Sequence, residues 1–143
     1  MTEAEVATFL ADHRKLSVAT IGPDGQPHVV AMWYVVIDGI VTFATFAKSQ
    51  KILNLQRDRR ITALVESGES YAELRGVELV GTARIIHDIE QVERIAIAIA
   101  RKYESLDMLN EAAVAAIRRG ARKRVGVALE LHRVVSWDHS KPL

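Results

Sequence analysis

Near the end of the chain, apolar and polar residues alternate from Val125 to Trp137. Val125, Val127, Leu129, Leu131, Val135 and Trp137 fall on one side, and Glu130, His132 and Ser136 on the other. A period of two is that of an extended strand with one buried face. The segments "LSVATIG", "IVTFATF" and "ITALVES" also read as strands. "HVVAMWYVVI" is a strand with no polar face, so both of its sides need cover. A second copy of the chain or a flat cofactor would supply it, and a homodimer is the simpler solution. "GPDGQP" is rich in turn residues, and Asp38-Gly39 predicts a tight hairpin into "IVTFATF". In "AELRGVELVGTARIIH", read as one long strand, Gly76 and Gly81 predict a bend or bulge.

The period changes elsewhere to that of a helix. Thr2 and Glu5 have the spacing of a capping box ahead of a stripe formed by Val6, Phe9 and Leu10. A short helix begins near Ser49, carrying Ile52, Leu53 and Leu55. Asp88 suits an N-cap for a helix with Val92, Ile95, Ala96, Ile99, Ala100 and Tyr103 on one face. A further helix, roughly Asp107 to Arg119, would bury Leu109, Ala112, Ala113, Ala116 and Ile117 and stop at Gly120. The order is helix, three strands, helix, two strands, two helices, strand. It lacks the strand–helix–strand rhythm that parallel sheets require. The expected fold is mainly β: a small six-stranded antiparallel barrel with helices packed outside, as a single domain over residues 1–143.

Composition narrows the function. The 143 residues carry 19 Lys plus Arg against 18 Asp plus Glu, a net charge of +1. Binding nucleic acid by counterion release usually needs a larger excess. There is no cysteine, which excludes disulfides, thiolate metal sites and a cysteine nucleophile. No signal peptide or membrane-length apolar run is seen, so a cytoplasmic protein without membrane attachment is expected. His13, His28, His87, His132 and His139 show no metal-ligand spacing and read as surface or turn residues. "GVELVG" lacks the glycine spacing of a dinucleotide fingerprint. Glu66 and Glu69 flank a turn, leaving no carboxylate pair for acid–base catalysis.

Two basic stretches remain. "RRGARKR", Arg118 to Arg124, leaves a helix C-terminus, where positive charge is favourable. It reads either as that solvated charge or as a dock for an anionic group. "TFAKSQKILNLQRDRR", Thr45 to Arg60, is less ordinary, because Lys48 and Lys51 stand at the positive end of a helix with no carboxylate before Asp58. Lysines beside free N–H groups make an anion site, to which Ser49 and Gln50 add hydrogen bonds. A phosphate pocket is the expected chemistry.

The segments "GPDGQPHVVAMWYVVIDGIVTFAT", "KSQKILNLQRDRR", "RGVELVGTARI" and "RVVSWDHSKPL", in that order, resemble the split-barrel flavin and deazaflavin proteins of the pyridoxamine 5'-phosphate oxidase superfamily. The likeness spans nearly the whole chain, and is greatest to the actinobacterial branch using coenzyme F420, which includes biliverdin reductases. It implies an FMN-binding split barrel and a homodimer with cofactor sites at the subunit interface. It implies that His28, Val29, Val30 and Ala31 line the deazaflavin, largely through backbone. Ala47, Lys48, Ser49, Gln50 and Lys51 would hold its phosphate, followed by Leu53 and Asn54, with Trp137 approaching from the partner. From charge, Arg57, Arg60 or the 118–124 run would receive an oligoglutamate tail. The implied activity is F420-dependent hydride transfer to a conjugated or heteroaromatic small molecule, with no catalytic side chain named. The alternatives are an FMN-dependent oxidase or reductase and a non-catalytic flavin or haem carrier. Vitamin B6 oxidases end in a tryptophan followed by substrate-binding arginines. Here Trp137 is followed by "DHSKPL", which argues against that activity.

Overall fold

A computed structural model describes residues 1–104 and 109–142 of the chain. Its centre is one antiparallel sheet of seven strands: β1 (Lys15–Ile21), β2 (Pro27–Trp33), β3 (Val35–Ile37), β4 (Ile40–Phe46), β5 (Arg60–Ser67), β6 (Arg75–Ile86) and β7 (Arg124–Asp138). Among the described residues four helices flank it: α1 (Glu3–Asp12), α2 (Gln50–Arg57), α3 (Ile89–Tyr103) and α4 (Glu111–Ala121). The spatial order is β2-β1-β5-β6-β7-β4-β3. The two edge strands, β2 and β3, follow one another in sequence, so the sheet curls until its edges nearly meet, as a split barrel does.

The seventh strand arises because the predicted second strand breaks at Tyr34. Its ring is fully buried, and its hydroxyl donates to the Leu10 carbonyl. The Tyr34 N–H donates to the Tyr103 hydroxyl at 3.2 Å, and that hydroxyl donates to the Tyr34 carbonyl at 3.2 Å. A side chain from the end of α3 thus satisfies the backbone where the ladder changes partners, as buried backbone groups require. The Asp38-Gly39 hairpin forms as expected, with φ of 51° and 78°.

Inside the barrel, Leu16, Val18, Phe43, Ile61, Val65, Val77, Leu79 and Val127 pack with Phe9 and Leu10 of α1 and Ile52 and Leu55 of α2. Each such side chain contributes about 1.5–3 kcal/mol by leaving water. The capping box at Thr2 and Glu5 starts α1. Outside the sheet, Val92 and Ile95 of α3 cover Ile86 and Ala128 with Ala121 of α4.

The regular alternation expected along β7 does not persist. Gly81 pairs with Leu131, but Val80 pairs with Arg133, leaving one extra residue on β7. A Cβ at Gly81 would lie 2.0 Å from the Glu130 carbonyl oxygen, so the bulge needs glycine there. Beyond it the faces exchange. Val134 pairs with Leu79, whereas Val135 and Trp137 pair with Glu78 and Gly76 and leave the face of Leu129. The start of the long predicted strand also shifts, since Tyr71–Glu73 form a 3-10 turn and β6 begins at Arg75. The predicted α4 start at Asp107 lies outside the described residues. Asn110 caps the helix by accepting from the Ala113 N–H at 2.9 Å, and the helix runs one residue past Gly120. Ala112 and Ala116 are exposed rather than buried, and Ala121 is the buried residue of this helix.

Candidate functional site

β4 ends at Phe46, and a tight connection brings the chain into α2, with the Ser49 N–H donating to the Phe46 carbonyl at 3.0 Å. Ser49 occupies the N-cap position with extended φ and ψ of −67° and 155°. Its hydroxyl makes no cap bond; Ser49 Oγ is buried without a hydrogen-bond partner. The first turn of α2 carries no acidic residue, although its leading N–H groups have no intrahelical acceptor.

Lys51 projects back beneath this turn and is only 8% exposed. Its ammonium donates to Thr45 Oγ1 at 2.8 Å and meets no carboxylate among the described residues. Burial lowers its pKa from the ordinary lysine value. The next turn continues the polar cluster. Gln50 Nε2 donates to Asn54 Oδ1 at 2.8 Å, and Asn54 Nδ2 donates to Thr20 Oγ1 at 3.0 Å. Arg57 donates to the Ile21 carbonyl and, at 3.4 Å, to Asn54 Oδ1. Thr20 faces His28 across the β1–β2 ladder, and His28 Nδ1 is buried without a partner. His28 is half-buried, with that ring nitrogen turned away from solvent.

Tertiary folding thus brings His28 of β2, through Thr20, to Ser49, Gln50, Lys51, Asn54 and Arg57 of the α2 segment, with Lys48 exposed beside them. Two members of the cluster, Thr20 and Thr45, escaped sequence reading because each sits in an ordinary strand pattern. Val30 points toward the barrel with Val18, while Val29 and Ala31 point outward and are exposed. Leu53 is also exposed. Trp137 is not brought to the cluster within one chain. It lies at the far end of β7 from Val125, the partner of Thr45, and its ring covers Gly76.

The basic run 118–124 does arrive beside it. The Ala47 N–H donates to the Lys123 carbonyl at 2.9 Å, and Arg124 pairs with Phe46, its guanidinium 4.4 Å from the ring centre. Arg60 instead holds Asp58 at 2.7 Å, and that contact pulls the Asp58 carboxyl down to about 2. A buried ammonium, an unpartnered hydroxyl and a helix start without acid are groups that would favour an anion. Among the described residues no group of three His, Asp or Glu is arranged to hold a metal ion, and no helix is long and apolar enough to cross a membrane.

A family model described as pyridoxamine 5'-phosphate oxidase matches residues 2–138. The conserved hypothetical protein Rv2991 from Mycobacterium tuberculosis is 43% identical over 97% of this chain and 86% of its own, with a TM-score of 0.90. A structure named F420 reductase is 22% identical, covering 90% of this chain and 94% of its own at a TM-score of 0.70. The heme storage protein HutZ from Vibrio cholerae is 12% identical over 97% and 98% of the two chains, with a TM-score of 0.73. The last two likenesses show the fold alone. No curated protein matches the chain.

Proposed function

The chain belongs to the pyridoxamine 5'-phosphate oxidase family, and we propose that it is a coenzyme F420-dependent oxidoreductase. Its reaction exchanges a hydride between the reduced deazaflavin and a conjugated or heteroaromatic small molecule. The observation that carries this reading is Lys51: a buried ammonium at a helix start, without a carboxylate among the described residues, beside the orphaned Ser49 hydroxyl. Desolvating an ammonium is unfavourable unless an anion completes the site. A cofactor phosphate fits, held by Lys51, Ser49 Oγ and the N–H groups at the start of α2.

When bound, the deazaflavin supplies the hydride chemistry. The chain binds, orients and excludes water. The outward residues Val29 and Ala31 on β2 offer the ring an apolar surface. Val29 is 62% exposed, and Val135 is exposed on the outer side of β7. Exposed apolar groups of this kind favour a homodimer in which a second copy covers the ring, with its own Trp137 nearby. FMN is the second choice, since its phosphate would use the same cradle. The exposed Lys48, Arg122 and Lys123 beside the cradle favour F420, whose oligoglutamate tail carries further negative charge. The structures named F420 reductase and heme storage protein share the fold, so a carrier is the competing reading.

Fluorescence titration of the purified chain with F420 and with FMN tests this. Tighter binding of F420, and its turnover with an acceptor panel, is the expected result. Tighter FMN binding reverses the cofactor assignment, and binding without turnover supports a carrier. Binding of neither overturns the oxidoreductase reading.

A further inference from the structure

Thr45 turns into the barrel toward Lys51, but its neighbours Ala44 and Phe46 face outward, where α3 and α4 cross the sheet. Two cavities of about 400 and 370 Å³ open in that space. Both are lined by Trp33, Ala44 and Ile99, so they form one slot. Its walls are short: Ala100 on α3, Ala116 and Ile117 on α4. The Trp33 indole is 53% exposed and lies nearly parallel to Tyr103, at 10° and 4.5 Å between ring centres. A half-exposed tryptophan fixed by a stacked tyrosine is a rigid plate for a flat ligand.

The slot carries two charges, Glu104 and Arg124. Arg124 has no carboxylate partner among the described residues; one guanidinium nitrogen donates to the Gly120 carbonyl at 2.9 Å. Arg122 and Lys123, exposed and next to it in the chain, add positive charge on this side. At the other end, the smaller cavity reaches Ala31, on the strand assigned above to the cofactor ring.

We propose that this slot receives the substrate, a flat aromatic or heteroaromatic carboxylate whose rings lie on Trp33 and whose carboxylate meets Arg124. This rests on the proposed function for its chemistry, but the slot can be tested separately. Alanines at Ala100 and Ala116 leave room for two fused rings, which a larger residue at either position would fill. Guanidinium binds a carboxylate through paired N–H bonds that a neutral amide does not reproduce.

The test follows tryptophan fluorescence of the full chain on addition of 2-naphthoate or 2-naphthamide, with and without F420. The wild type is expected to bind naphthoate with quenching, and Trp33→Phe to lose the quench. Ala116→Phe, at an exposed position that leaves the core untouched, should weaken naphthoate at least about tenfold by filling the slot. Its F420 affinity should stay within about twofold of wild type, because Ala116 lines neither the Lys51 cradle nor the cavity that reaches Ala31 on β2. Arg124→Gln should weaken naphthoate about tenfold, as expected for a lost charge-assisted bond, and leave naphthamide unchanged. Absent naphthoate binding, a quench that survives in Trp33→Phe, or equal affinity in Ala116→Phe would overturn the slot. Naphthoate binding by a chain that takes neither F420 nor FMN would uphold the slot and remove the hydride-transfer reading.

Discussion

Lys51 is the residue on which the site turns. Lys51→Met removes the buried ammonium but keeps most of the packing. Cofactor affinity should fall roughly 10- to 100-fold, equivalent to a charge-assisted bond of about 1.5–3 kcal/mol. The thermal midpoint of the ligand-free protein should hold or rise, because a desolvated charge has been removed. Unchanged affinity in the titration would remove Lys51 from the phosphate. Its titration makes a second prediction. Burial holds the folded pKa below 10.5, so between that folded value and 10.5 the unfolded chain binds more protons. Ligand-free stability therefore rises with pH across this window, while affinity for a phosphate, which needs the ammonium, falls as pH rises through the folded value. Lys51→Arg, which stays charged, should flatten the affinity profile in titrations run from neutral pH upward. The sequence disclosed Lys51 because charge at a helix start is a local anomaly. It could not disclose Thr45 and Thr20, whose roles come only from which strand ends meet.

Among the elements, α2 and α3 start differently, and the contrast is measurable. Asp88 Oδ2 accepts from the Gln91 N–H at 3.1 Å, so Asp88→Ala should cost about 1 kcal/mol of stability in denaturant melts. Ser49 makes no such bond. Ser49→Ala should cost only a few tenths of a kcal/mol, a loss typical of a position without a capping bond, yet it should weaken the phosphate-bearing cofactor. A loss as large as that of Asp88→Ala would mean that Ser49 serves the helix rather than the ligand. On β6, Gly81→Ala forces a Cβ against the Glu130 backbone and should lower stability by roughly 2–3 kcal/mol in thermal melts. Glycine at that position signalled the bulge in advance. Its effect on Val135 and Trp137 was not legible, because a bulge residue on β7 leaves the sequence alternation intact while exchanging the faces.

At the scale of the whole molecule, the proposed dimer depends on the outward strip of β2. Val29→Glu should convert a dimer to a monomer in sedimentation velocity, with weaker cofactor binding and little change in the monomer's own fold, since Val29 is exposed. A wild-type chain that sediments as a monomer would sink the dimer. The sequence alone determined the strands, the hairpin at Asp38-Gly39 and three of the helix starts, and it pointed to Lys51 as an unbalanced charge at one of them. Each of these is set by periodicity, turn chemistry or charge within a few neighbouring residues. Tertiary structure decided what depends on closure. It split the apolar strand at Tyr34 so that one segment supplies both sheet edges, and it set the 118–124 run beside Phe46 and Ala47. It also left a slot between α3, α4 and the sheet. Contacts between residues far apart in sequence follow from how the sheet curls, and no local pattern encodes that curl.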